Sequence, residues 1–277
     1  MPLEKTKTLL LFTLLGLLVG LTVLLVMPSD TPHSVVNEGY SGFSKLWLNY
    51  YGNVILSTSD LLNHEPSNSI LILARRDALL SVEPRLEFIE KGGVIVTYGS
   101  PVYVVSFLKS LGYNVEFKGY VYDWVYSTGE PDSIIAQSKT GINIHVKKPY
   151  YIDGLPGEIL VYTSSFAYVD SNGNGYFDMN ESIASTPICS RIHIGNGYIV
   201  VVTAEEFLEN SLIDSNNVFL SELKGLREIL IDQAEVMRVN SIDVVRMIVK
   251  SRVSVYMLLL LLIPLALVGY YVARKHT

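Results

Sequence analysis

Residues 69–98 read SILILARRDALLSVEPRLEFIEKGGVIVTY, and this stretch decides the fold class. Ser69 to Ala74 is a short apolar run of strand length, of the kind buried on both faces of a parallel sheet. Glu83 to Lys91 carries Leu86, Ile89 and Glu90 on successive turns and is closed by Gly92-Gly93, which predicts a helix. Val94 to Tyr98 is a second apolar strand. Strand, short helix and strand in this order predict a right-handed βαβ unit.

Working outward, Ser100 offers an N-cap with Pro101 behind it, so a helix is expected to run to about Leu111. Ser44 to Tyr51 has helical spacing, and strands are expected to start at Asn53 and Tyr113. Beyond Gly119 the pattern turns to strands at 142–146, 158–163, 191–194 and 198–203. The last two are joined by Gly195-Asn196-Gly197, a hairpin signal. Thr203 to Glu206 has capping-box spacing, and Leu220 to Val239 reads as one helix. The expected architecture is α/β, a doubly wound (flavodoxin-like or Rossmann-like), mostly parallel sheet with added β-hairpins.

Composition adds a second expectation. Of 277 residues 49% are hydrophobic and 17% charged, with a mean hydropathy of +0.33, whereas globular chains carry about a quarter charged residues. The excess sits in residues 8–27 and 253–273, two uncharged runs of membrane-crossing length. Lys5 and Lys7 before the first run predict a cytoplasmic N-terminus. Residues 26–30 lack a small-residue cleavage site, so an uncleaved anchor is expected. The expected order is a tail (1–7), a transmembrane helix (8–27) and an extracytoplasmic domain (28–239) that opens with a linker at 28–38. A helical stalk (240–252), a second transmembrane helix (253–273) and a cytoplasmic tail (274–277) follow. This is a two-pass cell-membrane protein, held to the lipid bilayer by both helices.

The tails hold four of the 21 basic residues and one of the 27 acidic ones, leaving residues 28–252 with 17 against 26. An acidic segment without a basic stripe argues against nucleic acid as a partner. Cys189 is the single cysteine, so an intrachain disulfide is impossible.

One motif carries specific chemistry. Asp170-Ser-Asn-Gly-Asn-Gly-Tyr-Phe-Asp-Met-Asn-Glu181 matches the calcium-loop pattern D-x-[DN]-x-[DN]-G-x₅-E in full. Calcium takes six to eight hard oxygens around a sharply turned loop. Asp170, Asn172 and Asn174 would give side-chain oxygens, and Tyr176 its backbone carbonyl. Asp178 would act directly or through water, and Glu181 would close the site with two oxygens. A strand-like run precedes the loop and Pro187 follows, so a lone structural loop at 170–181 is expected rather than a paired EF-hand. The alternative is a tight Asn-Gly turn with solvated acids around it. Asn180-Glu181-Ser182 also forms a glycosylation sequon.

Other candidates are weaker. Gly99-Ser100-Pro101 and Asp77, with Arg75 and Arg76, lie where strands end and helices begin, the usual ligand edge of an open α/β sheet. A cap and surface ion pairs explain them more simply. Ser100 lacks a G-x-S-x-G elbow, and His33, His64, His145 and His193 are not tied to it by spacing. No catalytic residue is assigned.

Gly42 to Leu46, Ile70 to Leu73, Glu87 to Val96, and Gly195 to Val202 leading into Phe207 to Asn210 and Asn216-Asn217 carry a family resemblance. The chain resembles domain-of-unknown-function family number 4350 in its archaeal membrane-bound form, over most of residues 42–223. That resemblance implies a glutamine-amidotransferase-like, flavodoxin-like domain, here without a cysteine at the Tyr98-Gly99-Ser100 elbow. Amidotransferase chemistry therefore does not carry over, and a scaffold or assembly role is implied.

The function expected from these readings is a membrane-anchored, non-catalytic α/β domain that binds a partner protein or small ligand and carries structural calcium. One alternative is an accessory subunit of a membrane transport or envelope complex, with an unidentified envelope partner. The other is a hydrolase acting at the Ser100/Asp77 edge of the sheet.

Overall fold

The computed structural model describes residues 27–77, 82–234 and 241–252, together with 12, 13, 15, 16, 19, 20, 22 and 236. Twelve strands form one mixed sheet. They are β1 (Asn53–Ile55), β2 (Ser69–Arg75), β3 (Val94–Gly99), β4 (Glu116–Tyr122), β5 (Ser133–Ser138) and β6 (Asn143–Asp153). The rest are β7 (Glu158–Tyr162), β8 (Tyr168–Asp170), β9 (Pro187–Ile194), β10 (Gly197–Val202), β11 (Ala204–Glu206) and β12 (Glu228–Asp232). The order across the sheet is β1-β12-β2-β3-β10-β9-β7-β5-β6-β4-β8, with β11 pairing β6 off this path. The helices described are α1 (Ser44–Leu48), α2 (Glu83–Glu90), α3 (Pro101–Ser110), α4 (Asn217–Lys224) and α5 (Ser241–Arg252).

The expected doubly wound, mostly parallel sheet is corrected. Strands β1, β12, β2, β3 and β10 are parallel neighbours, but every other ladder is antiparallel. The switch comes at β9–β10. Gly195 takes φ +57° and closes a turn too short for the crossover that a parallel neighbour needs, so β9 must run back along β10. The hairpins expected as additions make up the larger part of the sheet.

The flanking transmembrane helices are corrected as well. Among the described residues no helix is long and apolar enough to cross a membrane. Of the two expected spans, residues 253–273 lie outside those residues, as do both tails, and of 8–27 only 12, 13, 15, 16, 19, 20, 22 and 27 lie within them. The two-pass, cell-membrane placement is accordingly withdrawn.

Side-chain alternation places the core on two sides of the parallel strands. Ile70, Ile72, Val94 and Val96 share one cluster with Phe43, Leu46, Phe219, Leu220 and Met247 of the α1, α4 and α5 side. Leu71, Leu73 and Ile95 share the other with Phe88, Ile89, Tyr103 and Phe107 of α2 and α3. All seven residues of β2 are buried, as a strand covered on both faces requires.

Two stretches read differently in three dimensions. Residues 220–239 divide into α4 and β12, because the chain leaves the helix through Gly225 at φ +54° and Glu228–Asp232 slots between β1 and β2. Residues 28–38, expected as a linker, carry buried Ser29, His33, Ser34, Val35, Val36 and Asn37. This segment is sewn to α5: the hydroxyls of Ser29 and Ser34 donate to Asp243 Oδ2 at 2.7 and 3.3 Å, and Lys250 pairs with Glu38 at 2.5 Å. α5 buries Asp243 and Met247 against the domain.

Candidate metal centre

The loop at 170–181 leaves β8 at the edge of the antiparallel region and returns toward β9. Asp170 ends β8, opposite Tyr120 of β4, and is 2% exposed. Burial of a carboxylate is costly unless it is bonded, and this one is bonded by its own loop. Its Oδ1 accepts the N–H groups of Gly173 and Asn174 at 2.7 and 3.2 Å, and its Oδ2 accepts that of Gly175 at 2.7 Å. Gly173 and Gly175 reach this arrangement at φ +75° and +79°, a region costly for other residues.

At the far end Glu181 is buried, with Oε1 accepting Ser171 N–H at 2.9 Å and Oε2 accepting Asp178 N–H at 3.1 Å. Asn172 Oδ1 accepts Asn174 N–H at 3.0 Å, and Asn174 Oδ1 accepts Tyr176 N–H at 2.8 Å. Each amide oxygen keeps a second lone pair. Both side-chain amides donate to Asp178 Oδ2, at 2.6 and 2.8 Å. Asp170, Asn172, Asn174, Asp178 and Glu181 are thus one hydrogen-bonded constellation, and the Tyr176 amide belongs to it. Among the described residues no group of three His, Cys, Asp or Glu side chains gathers as a metal-holding cluster. Oxygen donation to an ion here would draw on amides and a backbone carbonyl beside the three carboxylates.

The other candidates resolve into structural roles. Ser100 is the N-cap of α3: its Oγ accepts Tyr103 N–H at 3.2 Å and donates to the Arg76 carbonyl at 2.6 Å. Asp77 is exposed, and Arg75 is buried beside Asp232. Burial drives the Cys189 thiol well up, against the opposing influence of Arg191, so it is a packing residue. Burial lowers the His145 imidazole below its ordinary value, and His64 pairs with Glu228 at 2.8 Å.

A buried polar group at the carboxyl ends of the parallel strands had no counterpart in the sequence reading. His33 Nε2 lies 3.1 Å from Glu209 Oε1, and the His33 ring meets Tyr98 edge-on. Both His33 and Glu209 are buried. Nearby, Glu206 lines a cavity of about 410 Å³ with Tyr40, Ser41, Ser133, Lys147 and Ser211. Burial and then the charge of Glu209 push the Glu206 carboxyl above the ordinary value. The signal in the sequence was Glu205, Glu206 and Glu209, of which the capping-box spacing of Thr203 to Glu206 accounts for only the first two.

No family model matches the chain, and no curated protein does. Several solved structures are similar over part of it. Exo-beta-1,4-mannosidase Op5Man5 from Opitutaceae bacterium strain TAV5 aligns at TM-score 0.34 and 16% identity, over 59% of this chain and 25% of that one. Beta-galactosidase from Bacillus circulans sp. alkalophilus aligns at TM-score 0.37 and 12% identity, over 58% and 23%. Gan42B, a GH42 beta-galactosidase, aligns at TM-score 0.37 and 14% identity, over 60% and 23%. The chain spans about a quarter of the length of these proteins. These are a mannosidase and beta-galactosidases, and the expectations of a non-enzyme and of an amidotransferase-like domain are withdrawn. With no membrane-crossing helix among the described residues, the reading as a membrane-anchored, non-catalytic binding domain is withdrawn. A likeness this slight assigns no activity of its own.

Proposed function

We propose that the chain is a calcium-binding domain whose 170–181 loop holds one ion and fastens the outer antiparallel strands. The observation that supports this is the pair of buried carboxylates, Asp170 and Glu181, at opposite ends of one loop, both oriented by backbone N–H groups. A divalent ion would neutralise them together with Asp178, and Asn172, Asn174 and the Tyr176 carbonyl would complete an oxygen shell. Three carboxylates suit a modest affinity, on the order of 10⁻⁴–10⁻³ M. Thermal melts with calcium and with chelator test this. Saturation at a hundred times Kd raises stability by about 2.7 kcal/mol, and Asp170→Asn abolishes the shift. Identical midpoints at 10-fold millimolar excess, with no binding heat by calorimetry, would reject the reading.

One observation favours a second reading, a hydrolase. The partly buried carboxyl of Glu206, held above its ordinary pKa by burial and then by Glu209 and set beside Lys147 in its cavity, is placed as a general acid would be. On this reading the chemistry moves from Ser100, which is committed to its cap, to Glu206. Turnover of nitrophenyl esters and glycosides, reduced about 100-fold or more in Glu206→Gln, is the expected result. Wild-type protein without turnover on either class removes the reading. Kinship with the family number 4350 stays a separate proposal, resting on the four stretches quoted above.

A further inference from the structure

The surface around the loop is rich in exposed rings. Trp124, Tyr126 and Phe166 are 65, 50 and 55% exposed, and a contiguous exposed apolar patch marks an interaction site. Tyr126 and Phe166 stack with centroids 6.5 Å and planes 20° apart. Against the upward push of burial, Trp124 lies close enough to the Tyr168 hydroxyl to pull its pKa downward, and Tyr168 meets the ring of Phe177 from the 170–181 loop edge-on at 5.5 Å. The patch therefore runs from the β4–β5 connection across the β7–β8 connection to the loop.

Its backbone is fixed in advance. Asp123 is wholly buried; its Oδ1 accepts the N–H groups of Val125 and Tyr126, both at 2.9 Å, and its Oδ2 accepts the Ser164 hydroxyl at 2.5 Å. One carboxylate pins both ring-bearing segments, so little ordering entropy is left to lose on binding.

Charge narrows the occupant. Residues 121–138 and 163–190 contain no Lys or Arg, so the patch offers nothing to a phosphate, a sulfated chain or an anionic bilayer. Its acids are largely committed: Asp123, Asp170 and Glu181 are buried and turned inward onto N–H groups and hydroxyls. Asp178 accepts the Asn172 and Asn174 amides, and the exposed Glu130 pairs with Lys147 at 3.7 Å, which leaves a basic peptide little beyond the half-buried Asp132. What the patch itself offers is ring surface, with the hydroxyls of Ser127 and Thr128 and the amides of Asn172 and Asn174 in the same segments. That is complementary to a neutral sugar, whose C–H face lies against the electron-rich face of a ring while its rim hydroxyls bond to polar neighbours.

We propose that Trp124, Tyr126 and Phe166 form a binding platform for a neutral polysaccharide. The platform stands on geometry separate from the calcium reading and from Glu206. Affinity electrophoresis tests it, with native gels cast with neutral glucan, mannan, galactan or xylan at millimolar calcium. Retardation of the wild type in at least one polysaccharide is expected. Trp124→Ala should weaken it about tenfold with an unchanged melting temperature, and Tyr51→Ala, an exposed aromatic outside the patch, should match the wild type. Trp124→Phe, which keeps a ring, should retain part of the retardation and covers the case in which the alanine variant fails to fold. Wild-type migration unaffected by all four polysaccharides overturns the proposal. So does equal retardation of the wild type and a folded Trp124→Ala protein, or retention only on a sulfated polymer or anionic vesicles. A calcium-dependent melting shift without retardation sinks this proposal and leaves the calcium reading standing.

Discussion

Glu206 shows how a single carboxyl can carry an opposing demand on stability. Its folded-state pKa lies above the ordinary value, through burial first and Glu209 second. Between the unfolded and folded values the native state then binds more protons than the unfolded chain, so stability falls as pH rises through that window and stays lower above it. Glu206→Gln removes the penalty. Its melting temperature is expected to exceed that of the wild type at pH 7, and the two should converge below the unfolded carboxylate pKa. A gap that is the same at both ends of the range would show that proton linkage is not the cause. At this scale the sequence was legible where residues act through near neighbours. Asp170, Asn172, Asn174, Asp178 and Glu181 fall within twelve positions, so their spacing alone announced them. His33 and Glu209 meet across 176 positions, and nothing local in PHSVV marks a histidine destined to be buried.

Among the elements, β4 and β8 hold the 170–181 loop in place, and their junction turns on Gly119. Its φ is +154°, and a Cβ there would lie 2.1 Å from the carbonyl oxygen of Asp170. The register of β4 on β6 also shifts between Phe117 and Gly119, an irregularity of the kind that re-aims a strand. Gly119→Ala must push β8 away, carrying Asp170 with it. On the calcium reading, the variant should bind the ion at least about tenfold more weakly, since displaced donors are lost outright, while α2 and α3 keep their helical circular dichroism. Unaltered calcium affinity would show that β8 does not position the loop. Helix α3 was legible because its cap and proline are adjacent in the chain. β12 was not: EILID satisfies helix and strand patterns alike, and the choice is made by the slot between β1 and β2.

In the whole molecule the sheet has two characters. Its parallel part is covered on both sides by helices, and its antiparallel part extends beyond them to the loop and the ring platform. The first part was legible because doubly buried strands read as continuous apolar runs. The second was under-weighted because alternating strands such as β6 look like hairpin decoration until their pairing is known. On the calcium reading, a loop fastened by its ion at one extremity predicts asymmetric hydrogen exchange. Chelator should speed exchange in β4 and β8 and leave β2, β3 and β12 unchanged, because local opening follows local contacts. Uniform acceleration across the sheet would mean that the ion governs global unfolding instead. The bond between Ser29 and Asp243 has a consequence of another kind. Two positions 214 residues apart stand side by side, so everything between them is a closed loop with a single narrow neck. Such a unit can be spliced into a surface turn of another protein without prying that turn apart, and new ends cut elsewhere in it can be tolerated once the neck is joined.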